Sequence, residues 1–381
     1  MTSPAISLRY SIDRMCRLRR FLILALLLIP SLLSANSDIT LLFGGDIMAH
    51  DQNYAVKDFD DIWKGVKPII QGADIAFVNI EAPVDPAKPV SSFPKFNMSL
   101  DYLDAAVKAG FSVFSMCNNH SNDQGLEGIR ETIRSCDKLT SKYLESGRSI
   151  YFAGLKQKPS DDFSYENIEK NGWRILFFSV TESLNQFDAF KNINYISPDP
   201  MNRQRFAEYL KKLKDSVSCD LFILSLHTDE PEYVRDVSDT QKKFYKDLIA
   251  AGVDIVWANH AHIIKDREIV TDSKTGRQAL IMYSNGNTIS GQRTNPNLVL
   301  EHPDTQRDNT GDGLLYQVTL SKTASGKVTI TETKPYFITT YITPKREFIL
   351  KPMNDDFIRW LKETGQPRWA GYIEKRLKIV K

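Results

Sequence analysis

Five of the six histidines in this chain of 381 residues, His50, His120, His227, His260 and His262, stand at or just beyond the ends of apolar runs. Carboxylates and amides stand with them. TLLFGGD ends at Asp46, ADIAFVNIE at Asn79 and Glu81, SVFSMCNNH at Asn119 and His120, LFILSLH at His227, VDIVWANHAH at His260 and His262, and ALIMYSNGN at Asn285 and Asn287. Carboxylate, amide oxygen and neutral imidazole together suit divalent ions of intermediate hardness such as Mn, Fe or Zn. Two such ions about 4 Å apart can hold a nucleophile and neutralise charge on a phosphoryl group in transfer. His260 and His262 are two residues apart, so on an extended strand end they point the same way, toward one ion or two neighbouring ones. A lone histidine at a strand end is ordinarily a hydrogen-bonded structural residue. Five of them in company with two carboxylates are poorly explained that way.

Such residues need a frame that gathers them. The runs are short, rich in Val, Ile and Phe, and continuous rather than alternating, which is the pattern of strands covered on both faces. Helical segments lie between them. SLDYLDAAVKAG starts with Ser99 as N-cap and stops at Gly110, with Leu100, Leu103, Ala106 and Val107 at helical spacing, and Thr240 to Ala251 behaves alike before Gly252. Alternating strands and helices predict an α/β sheet with helices on both sides. In such sheets ligands collect at the carboxyl ends of the strands, so polar residues at several strand ends are what a shared site requires.

The hydrophobic content of 42% suffices for a large core, and no segment is repetitive or of low complexity. Removing the five arginines and one aspartate of residues 1–35 from 49 basic and 47 acidic residues leaves 44 against 46. A net charge near −2 offers no electrostatic footprint for nucleic acid. Residues 1–35 read as a targeting segment: Arg17, Arg19 and Arg20 precede FLILALLLIPSLLSA, a stretch short for a membrane span and interrupted by Pro30. The expectation is a secretory signal cleaved after Ala35, with an uncleaved anchor as the alternative and Met15 as an alternative start. Cys117, Cys136 and Cys219, odd in number and set in apolar or helical segments, read as buried core residues.

GGDIMAH, VNIEAPV, FPKFN, MCNNHSNDQG, LSLHTDEPEY, ANHAHII and YSNGN follow one another between Ile39 and Gln292. In that order they resemble the blocks of the bacterial capsule-synthesis protein CapA family, also called poly-γ-glutamate biosynthesis proteins, which is related to the calcineurin-like metallophosphoesterases. The resemblance implies a metallophosphoesterase-like sandwich of two mixed β-sheets flanked by helices, occupying residues 38–340, with 341–381 as an extension packed on it. It implies two divalent metal ions (Mn, Fe or Zn). Asp46 would bind the first, Glu81 would bridge, Asn119, His227 and His260 would hold the second, and His262 would return to the first, with Asn79 a rival to Glu81. His120 would face the substrate as proton donor. Met48 stands where the wider pattern has a histidine, and His50 lies one helical turn further on.

His50, Asp123, Glu232, Asn285 and Asn287 are candidates for substrate contact, each with a plain alternative. His50 could face solvent, and Asp123 serves equally well as a helix N-cap. One extra residue after His227 makes Glu230 and Glu232 rivals for one position, with Glu232 preferred. Asn285 and Asn287 could merely satisfy the backbone of a turn at Gly286. The targeting segment makes the protein one expected to be exported, periplasmic or extracellular, and the resemblance implies a role in capsule or exopolymer biogenesis. Its partners would be an anionic envelope polymer or phosphoester substrate and membrane polymer-synthesis proteins. The alternative is a non-catalytic polymer-binding or assembly factor at the outer face of the membrane.

Elsewhere the chain predicts less. Lys156 to Asn171 reads as a polar surface excursion, and Gln292 to Asp312 as a long exposed loop near the site, able to act as a lid. LLYQVTLSK and KVTITETKPYFITTYI alternate like an antiparallel pair at the edge of the second sheet. The tail from Asp355 reads as helices that cover the core.

Overall fold

The computed structural model describes residues 37–381, so the targeting segment expected at the N-terminus lies outside the described residues. The chain builds most of one sheet, then a second, then returns to finish the first. It opens with β1 (Ser37–Ile47), β2 (Ile75–Ile80), β3 (Val113–Ser115) and β4 (Tyr151–Ala153). The second sheet takes β5 (Tyr165–Lys170), β6 (Trp173–Thr181), β7 (Leu221–His227), β8 (Ile255–Asn259), β9 (Arg267–Thr271) and β10 (Gln278–Met282). β11 (Asn287–Ile289), β12 (Asp312–Lys322), β13 (Val328–Ile342) and β14 (Phe348–Pro352) then rejoin the first. The eight-stranded sheet has the order β14-β13-β12-β1-β2-β3-β4 with β11 on β1, and the six-stranded sheet the order β5-β6-β7-β8-β10-β9.

Both sheets are mixed. β1 to β4 run parallel and β12 lies antiparallel on β1, while β6, β7, β8 and β10 run parallel between antiparallel edges β5 and β9. With the outer helices this is the expected two-sheet α/β sandwich. One expectation needs correction: the antiparallel pair of the C-terminal part lies in the first sheet, beside β1, and not at the edge of the second. β1 leaves only one of its edges to β2, so a long returning strand can add at the other.

The continuous apolar runs are explained by three apolar layers. Phe43, Phe77, Phe177, Ile223 and Trp257 point between the sheets, where Phe43 stacks on Phe77 at 4.7 Å. Their chain neighbours Leu42 and Val78 pack under helices of the first sheet, and Leu176, Phe178, Leu224 and Val256 under helices of the second. Alternation is present, but both faces are dry, so hydropathy along a strand does not show it. The helices keep their expected ends. In the helix Leu100–Ala109, the Ser99 hydroxyl accepts from the Tyr102 N–H and Gly110 (φ +131°) ends the last turn.

The segment from 341 is woven into this body. It completes β13, adds β14 at the sheet edge, and places Phe357, Leu361, Trp369 and Tyr372 in the layer between the sheets. Among the described residues no helix is long and apolar enough to cross a membrane.

Candidate metal centre

The carboxyl ends of parallel strands from both sheets meet at one place. Asp46 is the penultimate residue of β1, Glu81 follows β2, and Asn119 and His120 follow β3; from the other sheet His227 ends β7, and His260 and His262 follow β8. Each is at least nine-tenths buried. Gly45 makes the approach possible, because a Cβ there would stand 1.8 Å from the Gly286 carbonyl oxygen of the turn before β11.

Ligand-type atoms crowd together with few protons to share. Nε2 of His227 lies 2.9 Å from Oδ1 of Asn119, 3.1 Å from Nδ1 of His260 and 3.8 Å from a carboxylate oxygen of Glu81. On the other side, His262 has Nδ1 3.2 Å from Asp46 and Nε2 3.6 Å from the same Glu81 oxygen. Ligand atoms of Glu81, His260 and His262 all lie within 4.8 Å of one another, as do those of Asp46, Glu81 and His227, so Glu81 is common to both sets. Glu81 is completely buried, yet neither of its oxygens accepts a hydrogen bond, and Nδ1 of His227 is likewise buried and unpartnered. Burial, with the charges of Asp46 and Glu232 adding to it, pushes the Glu81 carboxyl well above the ordinary range. Burial and the neighbouring imidazoles hold His227 well below its ordinary value and bring His260 down to about 4. Burial disfavours the charged form of His262 too, but the Asp46 carboxylate outweighs it and raises the imidazole. Orphaned carboxylate oxygens facing imidazoles and an amide oxygen fit divalent cations, which would supply the positive charge that the carboxylates lack.

The backbone bends to achieve this. β8 ends at Asn259, and His260 (φ +102°), His262 (φ +57°) and Tyr233 (φ +63°) all adopt left-handed conformations. Non-glycine residues there cost on the order of 1–3 kcal/mol each, and such strain gathers at functional sites. The two histidines therefore converge through a strained turn and not through the extended strand end anticipated for them.

Around the ligands, amides fix orientation. The Asn79 amide donates to Asp46 at 2.8 Å, and the Asn118 amide donates to the Ile80 carbonyl at 2.6 Å and to Asn79 at 3.4 Å. Asn79 thus stands behind Asp46, while Glu81 points into the cluster. Asn287 accepts from Nδ1 of His262 at 3.0 Å, leaving Nε2 for Glu81 and its surroundings. Asn285 spends its amide on the carbonyls of Phe43 and Gly44, tying the sheets together away from the ligands.

His120 is held in a different way. Its Nδ1 lies 2.6 Å from Asp123, whose same oxygen accepts the Phe96 N–H, and its ring meets Phe96 edge-on at 4.7 Å. Asp123 sits behind His120 and does not cap the next helix, Gly125–Glu145, whose N-cap is Gln124. Asn185, in the loop after β6, places its amide within 3.5 Å of both ring nitrogens of His120. Nothing in its sequence block singles it out, although it follows a strand end as the others do.

A cavity of about 700 Å³ opens over this cluster, lined by His120 and His262 on the ligand side and by Met48, His50, Glu232, Tyr233, Gln292 and Arg307 beyond. His50 turns inward, ahead of a 3-10 turn at Asp51–Ala55, and burial, reinforced by His262 and His120, lowers its imidazole to about 3. Of the two rival glutamates, Glu232 faces the cavity, whereas Glu230 pairs with Lys265 at 2.8 Å and accepts the Ser238 N–H. Burial raises the Glu232 carboxyl, but His262 and its neighbours outweigh it and hold it below the ordinary value. Sequence reasoning places Gln292 and Arg307 only within an exposed loop and gives neither a role.

The family model described as bacterial capsule synthesis protein PGA_cap matches residues 40–292, the stretch that carries every ligand named above. The capsule biosynthesis protein CapA of Bacillus anthracis is 26% identical over 271 residues, 68% of this chain and 61% of that protein. The PGA biosynthesis protein CapA of Bacillus subtilis (strain 168) is 26% identical over 338 residues, 85% and 80% of the two chains. The chain thus spans less than two thirds of the length of the first of these relatives. Among solved structures, a hypothetical protein from Thermus thermophilus aligns with TM-score 0.44 at 15% identity, over 78% of this chain and 98% of that one. The NAD nucleotidase NadN of Haemophilus influenzae gives 0.43 at 10% identity, over 86% and 56%. The calcineurin-like phosphoesterase YfkN of Bacillus subtilis gives 0.41 at 12%, over 90% and 100%.

Proposed function

Because this chain belongs to the bacterial capsule synthesis protein family PGA_cap, we propose that it serves capsule or exopolymer biogenesis outside the cytoplasm as a metal-dependent hydrolase. The bond attacked would be a phosphoester or a related linkage in an anionic envelope polymer. The observation that carries this reading is the bare, fully buried Glu81 carboxylate between His227 and His262. Asp46, Glu81 and His262 would hold one divalent ion, Mn, Fe or Zn, and Asn119, His227 and His260 with Glu81 a second. When bound, the ions supply positive charge against a phosphoryl group and make a water acidic enough to attack at neutral pH.

The chain's own residues account for the rest. Asn287 fixes the His262 ring, and the Asn118 and Asn79 amides fix the end of β2 and Asp46. His120, with Nδ1 held by Asp123 at 2.6 Å, lines the cavity, placed to protonate a leaving oxygen through Nε2. Export is proposed from the basic and apolar segment within residues 1–35.

A second reading draws on Met48. This thioether, 2% exposed, lines the cavity beside the Asp46 position and offers a divalent ion of this class only a weak ligand. A first ion site left with Asp46, Glu81 and His262 alone would suit an assembly factor that binds polymer or membrane polymer-synthesis proteins without cleaving. Elemental analysis of the full-length protein separates the two. Two ions per chain, their loss in His260→Ala, and hydrolysis of 4-nitrophenyl phosphate in Mn or Zn support the enzyme. Replacing His120 by Asn should then lower the rate by about 10²–10⁴ with the metal content retained. One ion or none, with no turnover, leaves only the assembly role.

A further inference from the structure

The far wall of the cavity carries two donors that the protein itself leaves unused. The Gly291 N–H donates to Nδ1 of His50 at 3.1 Å, so that nitrogen is bare and the proton of the neutral ring sits on Nε2. Nε2 has no hydrogen-bond partner among the described residues. Gly291 is there because its backbone must come this close: a Cβ would lie 2.6 Å from Cβ of His50. The ring is braced edge-on against Phe96 at 5.0 Å.

Arg307 is the second donor. Its guanidinium stands 5.8 Å from the centre of the Tyr233 ring, at the cavity wall, and pairs with no carboxylate among the described residues. The acidic residues next to it are already taken. Asp308 accepts from Tyr372 at 2.6 Å and from Thr305 at 2.6 Å, and Asp304 pairs with Arg235 at 2.9 Å. These bonds pin the short turn Gln306–Asn309 and leave the arginine alone facing the opening. The cavity's one carboxylate, Glu232, has the raised His262 imidazole as its main counter-charge.

We propose that His50 and Arg307 form a second anion subsite, which binds an acidic group of the substrate lying beyond the bond that is attacked. The proposal rests on the hydrolase reading for where the reacting group sits. A fixed imidazole N–H and a guanidinium recognise carboxylate or phosphate oxygen alike. The substrate is therefore a molecule with at least two anionic groups, and Arg307 decides between it and a singly anionic ester.

The test uses metal-loaded, full-length protein titrated calorimetrically with two homologous series: alkylphosphonates from methyl to butyl, and phosphonocarboxylates from phosphonoformate to 4-phosphonobutyrate. At one chain length the carboxylate should tighten binding about tenfold over the matching alkylphosphonate. That advantage should vanish in Arg307→Ala, persist in part in Arg307→Lys, fall in His50→Ala and be largely kept in His50→Gln, whose amide retains a donor. Metal content and thermal unfolding equal to wild type show that the variants are intact. A wild type that gains nothing from the carboxylate at any length, while its metal still binds methylphosphonate, overturns the subsite and leaves the hydrolase reading standing. Survival of the advantage in both Arg307→Ala and His50→Ala also overturns it. Failure of the protein to take up metal, or to bind any phosphonate through it, overturns both.

Discussion

A carboxylate sealed from water with neither oxygen bonded is an arrangement that a protein keeps only against a cost. For Glu81 the cost depends on pH, because burial raises its carboxyl well above the ordinary value of 4.5. In metal-free protein below that value, folded and unfolded states are both protonated and the burial of charge costs nothing. As pH rises, the unfolded chain releases its proton first, so stability is lost up to the folded pKa. Glu81→Gln keeps the shape and removes the charge. Metal-free Glu81→Gln should therefore match wild type near pH 4.5 and exceed it by about 1–3 kcal/mol at pH 8, in urea unfolding at both pH values. In the presence of Mn or Zn the order should reverse, since the variant has lost the shared ligand. A variant no more stable than wild type at pH 8 without metal would mean that burial does not raise the Glu81 carboxyl.

At the scale of elements, what can be read in the sequence and what cannot divides by how local the cause is. Strand ends are legible because a dry strand must stop where a polar side chain begins, and the helix after Ser99 because cap and stop lie within its own twelve residues. The hairpin of β5 and β6 is also local, yet its polar first strand reads as a surface excursion; its turn, Asn171 (φ +51°) and Gly172 (φ +78°), is a signal of the two-residue type that the polar composition masks. The orientation of His260 and His262 is not legible, because their left-handed backbone goes with contacts to Asp46 of β1, more than 200 residues away in the chain. Nor is the anchoring of residues 292–312, whose partners lie far along the chain. Arg376, on the helix Pro367–Val380 and fully buried, reaches Asp312 and the Pro303 carbonyl at 2.6 Å each, while Arg293 meets the other Asp312 oxygen at 3.0 Å. A segment expected to be an exposed lid is thus nailed to the C-terminal helix. Arg376→Met would leave part of that buried charge unpaired and should cost about 3–5 kcal/mol in chemical denaturation. It should also loosen the cavity wall that bears Arg307, seen as faster hydrogen exchange across 292–312. Loss of stability below about 1 kcal/mol would show that Arg293 alone suffices to hold Asp312.

For the molecule as a whole, the candidate centre is also the place where two sheets with few polar cross-links are joined. Trp257 donates to the Gly44 carbonyl at 2.9 Å, Asn285 spans to Phe43 and Gly44, and Ser115 meets Ser179 at 2.7 Å, but most of the seam is apolar. The candidate ligands divide evenly across it, with Asp46, Glu81 and Asn119 following strands of the first sheet and His227, His260 and His262 those of the second. An ion held by both sets binds the folded sandwich and not the open chain, so its binding free energy adds to stability. Free Mn or Zn at a hundred times its dissociation constant should add about 2.7 kcal/mol, and chelation should remove it. The distribution of that gain distinguishes a bridging centre from a metal held by one sheet. Amide protection should rise together in β2 and β8, on opposite sides of the seam, and neither rise should survive His260→Ala. Protection that increases in only one of the two strands would place the metal within a single sheet and separate stability from the joint site.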